Sequence, residues 1–366
     1  MSSEMEILKN LLKADISICD DASSFLQSGF WGSFKARFGW EALAFRLVWD
    51  KDICPQGWNN EQPLLVLRRV LYPGFALAYI PWGPELPVDF PDREKAVLEL
   101  AFSLKKALPK NTAFIRFDPP WTLSHNSDDT PPKLMPRPFI RSAADIQPPD
   151  TVILDLSGSI ESIKEQMKPK WRYNANLALK KGVKISRAGV EKMPLFYELL
   201  KETAIRDGIS IHSVNYYENI FENGWYSGIN PPDIRLYLAE HEEDLLAGII
   251  TLFRGREAVY LYGASSNIKR NLMATYALQL TAMQDAKLAG CLEYDLFGIP
   301  PNADPSHPMA GLYRFKTGFG GRIIHRPGSW DFPCRPIVYR IFRSAEALRQ
   351  FIRGFRKKLP DLLKRN

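Results

Sequence analysis

Two lysines in this 366-residue chain stand among aromatic residues and glycines. Lys316 lies in Leu312-Tyr313-Arg314-Phe315-Lys316-Thr317-Gly318-Phe319-Gly320-Gly321, directly ahead of a glycine turn. Lys35 lies in Trp31-Gly32-Ser33-Phe34-Lys35-Ala36-Arg37-Phe38-Gly39-Trp40. An ammonium beside aromatic walls, with glycines that permit close backbone approach, suits a phosphate or a stacked base. A solvated lysine on an amphipathic helix with core aromatics is the plainer alternative for Lys35. Asp118 ends a strand in Phe117-Asp118-Pro119-Pro120. There it can face a cleft and orient or deprotonate an attacking amine, or form a turn before proline. Arg206, two residues before Gly208, reads either as a helix ending or as an anion contact. Tyr262 and Gly263 close a Tyr-x-Tyr alternation that is a half-buried strand by default. A further stretch holds Lys164, Lys168, Lys170, Arg172, Lys180, Lys181, Lys184 and Arg187, with Trp171 and Tyr173 interleaved. It suits the phosphates of an RNA, or serves as an ordinary solvated face.

The elements that position these residues form a faint repeat. Val70 to Gly83 and Leu252 to Gly263 each read as strand, turn, strand. A helix-like stretch follows each copy, Glu94 to Leu108 and Leu272 to Ala289, and then another strand, Ala113 to Asp118 and Leu292 to Leu296. Two such units predict a duplicated α/β (α+β) fold with mixed sheets flanked by helices. Pro119 to Asp150 has a loop composition. The second unit opens at Thr151, with Ser159 or Ser157 as a helix N-cap and a basic helix from Lys168 to Lys181. From Val338 to Asn366, apolar and basic residues alternate at helical spacing.

At this length two domains with ample cores are expected. The net charge of +7 favours an anionic partner: RNA, a nucleotide diphosphate or an anionic membrane surface. Cys19, Cys54, Cys291 and Cys334 lie far apart, and the histidines lack ligand spacing. Neither a metal site nor a disulfide framework is expected. No signal peptide or transmembrane run is visible, which points to the cytoplasm.

Taken with the strand-like Cys291 to Pro300, the two lysine motifs resemble the FemABX family in order and spacing across nearly the whole chain. That family comprises non-ribosomal peptidyltransferases that move an amino acid from aminoacyl-tRNA onto a peptidoglycan precursor. The resemblance implies two tandem GNAT-like domains, 1–150 plus 331–366 and 151–330, of the compact type without a coiled-coil insertion. It implies aminoacyl-tRNA and a UDP-linked or lipid-linked muramyl peptide as partners, no cofactor, a monomer, and peripheral contact with the inner membrane face. Lys35 matches the W-G-x-x-K lysine that binds a phosphate of the precursor. Arg206 to Tyr217 resembles the stretch carrying a second phosphate-binding arginine, but His212 stands in that place, and a neutral imidazole is a weaker phosphate partner. Arg206 or protonated His212 is left to supply that contact, with Tyr216 beside it. By the same resemblance Asp118 lies near the acceptor peptide, Tyr262 lines the cleft, and Phe315 and Lys316 contact the aminoacyl-tRNA end. Aminolysis builds negative charge on the ester oxygen, which a positioned ammonium stabilises. No Ser-His-Asp or Cys-His set offers a general base; a substrate hydroxyl such as the tRNA ribose is the implied proton relay.

Three other functions fit a similar core. An acetyl-CoA-dependent N-acyltransferase needs R-x-x-G-x-G/A for its pyrophosphate, and Met273 and Thr275 here replace those glycines. A non-catalytic RNA-binding or nucleotide-sugar-binding protein needs no Lys316. A tRNA-dependent transferase acting on protein N-termini lacks W-G-x-x-K and the duplicated layout.

Overall fold

The computed structural model describes residues 6–71, 74–123 and 135–348. The basic tail 349–366, part of the Pro119 to Asp150 loop and two residues of the first repeat copy lie outside the described residues. The chain divides into two compact units, 1–147 with 327–366, and 148–326.

Unit 1 contains β1 (Leu8–Ala14), α1 (Gly29–Ala36), β2 (Glu41–Trp49), β3 (Glu61–Val70), β4 (Ala76–Ile80), α2 (Arg93–Ala107), β5 (Thr112–Phe117) and β6 (Ile140–Arg141). Unit 2 supplies β7 (Asp150–Asp155), α3 (Ile160–Gln166), α4 (Pro169–Lys180), β8 (Lys184–Ala188), α5 (Met193–Asp207), α6 (Val214–Phe221), β9 (Asp233–His241) and β10 (Asp244–Arg254). It continues with β11 (Glu257–Ser265), α7 (Ala274–Leu288), β12 (Glu293–Asp295), α8 (Ala310–Thr317) and β13 (Arg322–His325). The chain then returns to unit 1 with β14 (Trp330–Pro333) and a helix over 336–348.

The sheets repeat one plan. Unit 1 is ordered β1-β2-β3-β4-β5-β14-β6, and unit 2 β8-β9-β10-β11-β12-β7-β13. In each, three antiparallel pairings lead to one parallel pair joined by a helix, β4-α2-β5 and β11-α7-β12. A crossover helix is what a parallel pair requires. β4 and β5 are buried along their whole length, as strands covered on both faces are.

Local chemistry sets the helix ends. Asp92 accepts from the Lys95 amide to start α2, and Lys105 and Lys106 end it, matching the helix dipole. Ser159, not Ser157, caps α3 by accepting from the Ser162 amide. Gly208 ends α5 at φ 65°, a backbone conformation glycine adopts without cost. The strand expected over 292–296 is only three residues long, because Phe297 turns out of it at φ 57°.

Candidate functional site

In unit 1, the buried face of α1 carries Phe30, Trp31 and Phe34. Gly32 lies on that face because a Cβ there would come 2.8 Å from Leu65 and 2.9 Å from Ile16. The W-G pair is thus a packing requirement, and it leaves Lys35 at the rim, half-buried. The Lys35 ammonium stands 5.5 Å from the Trp31 ring centre and 5.9 Å from that of Trp40. The Arg69 guanidinium lies 5.6 Å from the same Trp40 ring. Burial, then the charge of Arg69, lowers the Lys35 pKa to about 8. Two cations sharing one indole make a place that favours an anion.

Trp40 also meets Tyr79 at 6.3 Å between ring centres, and the Tyr79 hydroxyl donates to Asp118 Oδ2. Lys35 and Asp118 are therefore joined through two aromatic residues. Asp118 is 3% exposed. Its Oδ1 accepts from the Ser329 hydroxyl and its Oδ2 also from the Gln147 amide. Burial raises its pKa to about 6 against these donors. The geometry makes Asp118 a tie between the ends of β4 and β5 and the segments near 147 and 329.

In unit 2, β11 links two clusters. The first gathers residues from α5, α6 and β11. His212 stacks on Tyr216 at 3.9 Å, and Tyr262 meets Tyr217 edge-on at 5.1 Å. The Tyr262 hydroxyl hydrogen-bonds Tyr216, and burial pushes the Tyr216 pKa up to about 12. The His212 backbone is held by the Tyr197 and Tyr217 hydroxyls. Arg206 reaches back to β11, donating to the Ser265 carbonyl at 2.8 Å, and pairs with Asp207. The guanidinium thus tethers the end of α5 to β11, a contact that neither reading of its sequence position contains. Tyr262 lies within β11 rather than at its end, beside a bulge at which Ile250 faces Tyr262 and Thr251 faces Tyr260.

The second cluster surrounds Lys316. The residue is 6% exposed, and its ammonium donates to the carbonyls of Phe297 (3.2 Å) and Gly298 (2.8 Å). The Tyr260 ring lies 5.2 Å from it. Of three N–H donors, two are spent on the backbone. Burial lowers the Lys316 pKa to about 7, opposed by the charge of Asp295. The glycines around it are steric necessities. A Cβ on Gly263 would lie 1.8 Å from the Tyr260 hydroxyl, and one on Gly318 2.0 Å from the Trp171 ring. Trp171 in turn donates to the Phe315 carbonyl at 2.8 Å. Phe315 packs edge-on against Tyr276 (5.3 Å) and Phe319 (5.1 Å), so much of its ring belongs to the core.

On and around α4 and β8 the basic residues divide. Arg172 caps the end of α3 through the carbonyls of Lys164, Glu165 and Met167, and Arg187 pairs with Asp285. Lys168, Lys170, Lys180, Lys181 and Lys184 are exposed, as is Tyr173. At the start of α7, Met273 takes φ 57° with its side chain present, where an acetyl-CoA site would have glycine. The sequence pattern places Trp171 only in the basic stretch and gives Tyr260 and Asp295 no site role; an acidic residue inside an apolar strand is the available signal for the last.

Two units of one sheet plan, each with a lysine among aromatics, make a tandem GNAT-like α/β fold. The FemAB family profile matches residues 139–225 and 235–347, and the chain belongs to that family. The lipid II:glycine glycyltransferase of Staphylococcus aureus (strain COL) is 24% identical over 392 aligned residues, covering 88% of this chain and 90% of the relative. The Staphylococcus saprophyticus protein of the same name is 25% identical over 261 residues, covering 54% of this chain and 62% of the relative. The crystal structure of FemX matches with a TM-score of 0.73 at 20% identity, over 91% of this chain and all of that one. Among the described residues no helix is long and apolar enough to cross a membrane.

Proposed function

We propose that this protein transfers an aminoacyl group from aminoacyl-tRNA to an amine on the stem peptide of a peptidoglycan precursor, UDP-linked or lipid-linked. The observation that carries the proposal is the buried Lys316 ammonium, fixed by two carbonyls with one N–H left for substrate. The acceptor amine attacks the ester carbonyl, and Lys316 stabilises the oxyanion. The C–N bond forms, the C–O bond to the ribose breaks, and the amine proton passes to the departing ribose oxygen through the neighbouring hydroxyl.

Lys35 holds the precursor's diphosphate. Arg69, on the same indole, supplies a second cation to that anion. Asp118 serves as a positioning group, because both its oxygens already accept hydrogen bonds. The exposed lysines on and around α4 and β8 track the tRNA phosphates. A lipid-linked acceptor would be reached from the inner membrane face. There helix 336–348 presents Ile337, Ile341 and Leu348, exposed by 75%, 66% and 59%, beside exposed Arg340.

The test incubates the full chain with bulk charged tRNA and, separately, UDP-linked precursor, lipid-linked precursor and acetyl-CoA with an amine acceptor. Products are read by mass. An aminoacylated precursor supports the proposal. Acetyl transfer, or no product with either precursor, sinks it.

A further inference from the structure

The Lys316 ammonium is held by the carbonyls of a turn rather than by a carboxylate, so its position is only as good as that turn. The turn is an uncomfortable one. Phe297 has φ 57°, a left-handed conformation that is uncommon for a bulky residue and persists only when its surroundings hold it. Backbone bonds flank it: the Leu296 amide donates to the Val152 carbonyl at 2.9 Å, and the Ile299 amide to that of Asp150 at 3.0 Å. Pro148 closes the back, since a Cβ on Gly298 would lie 2.6 Å from its ring. At the centre, the Phe297 amide donates to Asp295 Oδ1 at 2.7 Å.

Asp295 is the last residue of β12 and is wholly buried. Its Oδ1 also accepts from the Thr151 hydroxyl, while its Oδ2 is buried with no hydrogen-bond partner. A buried carboxylate with an unused oxygen is costly unless cations balance it. Lys316 on α8 and Arg326 after β13 are the cations that act on it.

We propose that Asp295 is the positioning residue for Lys316: its carboxylate fixes the 296–298 turn whose carbonyls hold the ammonium, and it supplies the buried negative charge that balances it. The charged and titratable groups facing this pair are few. Tyr260 on β11 presents its ring to Lys316, and Tyr294 adjoins Asp295 on β12. Arg326 lies near Asp295 and also faces Glu257 and Asp150. Among the described residues, Asp295 is the one acidic group acting on Lys316. Removing its charge while keeping its shape leaves the ammonium easier to deprotonate. The consequence for rate rests on the transfer role proposed for Lys316; the consequence for its protonation does not.

The experiment is an NMR titration of the full chain labelled with ε-¹⁵N lysine, with the Lys316 signal assigned by its loss in Lys316→Met. Asp295→Asn should lower the Lys316 midpoint by about one unit. Thr151→Val, which removes a donor to the carboxylate, should move it the same way by less, and carries the titration if Asp295→Asn does not fold. With a midpoint lowered by one unit from about 7, the single-turnover rate falls about tenfold at pH 8 and about twofold at pH 6. An unchanged midpoint in the folded variants overturns the proposal, and so does a loss of rate that is equal at both pH values. If Lys316→Met transfers at the wild-type rate, the transfer role of Lys316 fails instead, and the midpoint shift still decides the role of Asp295.

Discussion

Replacing Lys316 by Met separates what the ammonium does for catalysis from what it costs the fold. Met keeps most of the side-chain volume and removes the charge. The Lys316 pKa is depressed from 10.5 to about 7, a penalty on the charged form of roughly 5 kcal/mol at about 1.4 kcal/mol per unit. The folded pKa lies below the unfolded one, so this penalty is fully present below about pH 7. It fades as pH rises toward the unfolded value. Met removes the penalty but leaves the Phe297 and Gly298 carbonyls without their donor, at about 1–3 kcal/mol each. The net change at pH 6 therefore lies between about −1 and +3 kcal/mol, that is, neutral to stabilising. At pH 10 most of the penalty has gone from the wild type, and the variant becomes the less stable of the two. Thermal melts at pH 6 and 10 read this directly, at about 2–4 °C per kcal/mol for units of this size. In the same samples, the single-turnover rate at saturating aminoacyl-tRNA should fall by roughly 100-fold or more, with a smaller change in tRNA affinity. A variant that is several kcal/mol less stable at pH 6 would show the buried ammonium to be a structural requirement. A variant that keeps its saturated rate would move oxyanion stabilisation to another group.

Lys35→Ala and Arg69→Gln should each weaken UDP-linked precursor more than tRNA by calorimetry. Wild-type precursor affinity should decline as pH rises through about 8, where Lys35 of the unliganded protein loses its proton; unchanged affinity in both variants removes the diphosphate assignment. Gly263→Ala forces a methyl into the Tyr260 hydroxyl. Overpacking of this kind costs about 1–3 kcal/mol, and a melting temperature equal to wild type would mean that Tyr260 has room to move. Asp118→Asn keeps the shape of a group whose folded pKa is raised to about 6. Burial disfavours its charged form, a cost to the fold that grows as pH rises from about 4 and is complete above about 6, so the variant should be no less stable at pH 7 by denaturant titration, to within about 1 kcal/mol. Its transfer rate should drop less than tenfold, and a loss beyond about 100-fold, typical of general acid–base groups, would give Asp118 a chemical role.

Periodicity and punctuation in the sequence determined most of the architecture. The paired strand-turn-strand copies, the helices after them and the polar caps are local patterns, and they recur as β3-β4 and β10-β11, α2 and α7, and the Ser159 cap. The lysine motifs were legible because a charged residue among aromatics and glycines is unusual in any setting. Tertiary structure alone decided what those glycines and neighbours are for. Gly32 and Gly318 exist for the side chains of Leu65 and Trp171, residues 33 and 147 positions away, as Gly263 does for the Tyr260 hydroxyl. Arg69 joins Lys35 only because β3 brings it to the Trp40 ring. Asp295 reads as one acidic residue in an apolar strand until β7, β12 and α8 surround it with Thr151, the Phe297 turn and Lys316. Its ionisation, like that of Lys316 at about 7, is set by desolvation and by charges distant in sequence. A pattern within one segment carries the period of a helix or strand but not the dielectric around a side chain, and that dielectric exists only once the sheets have closed over it.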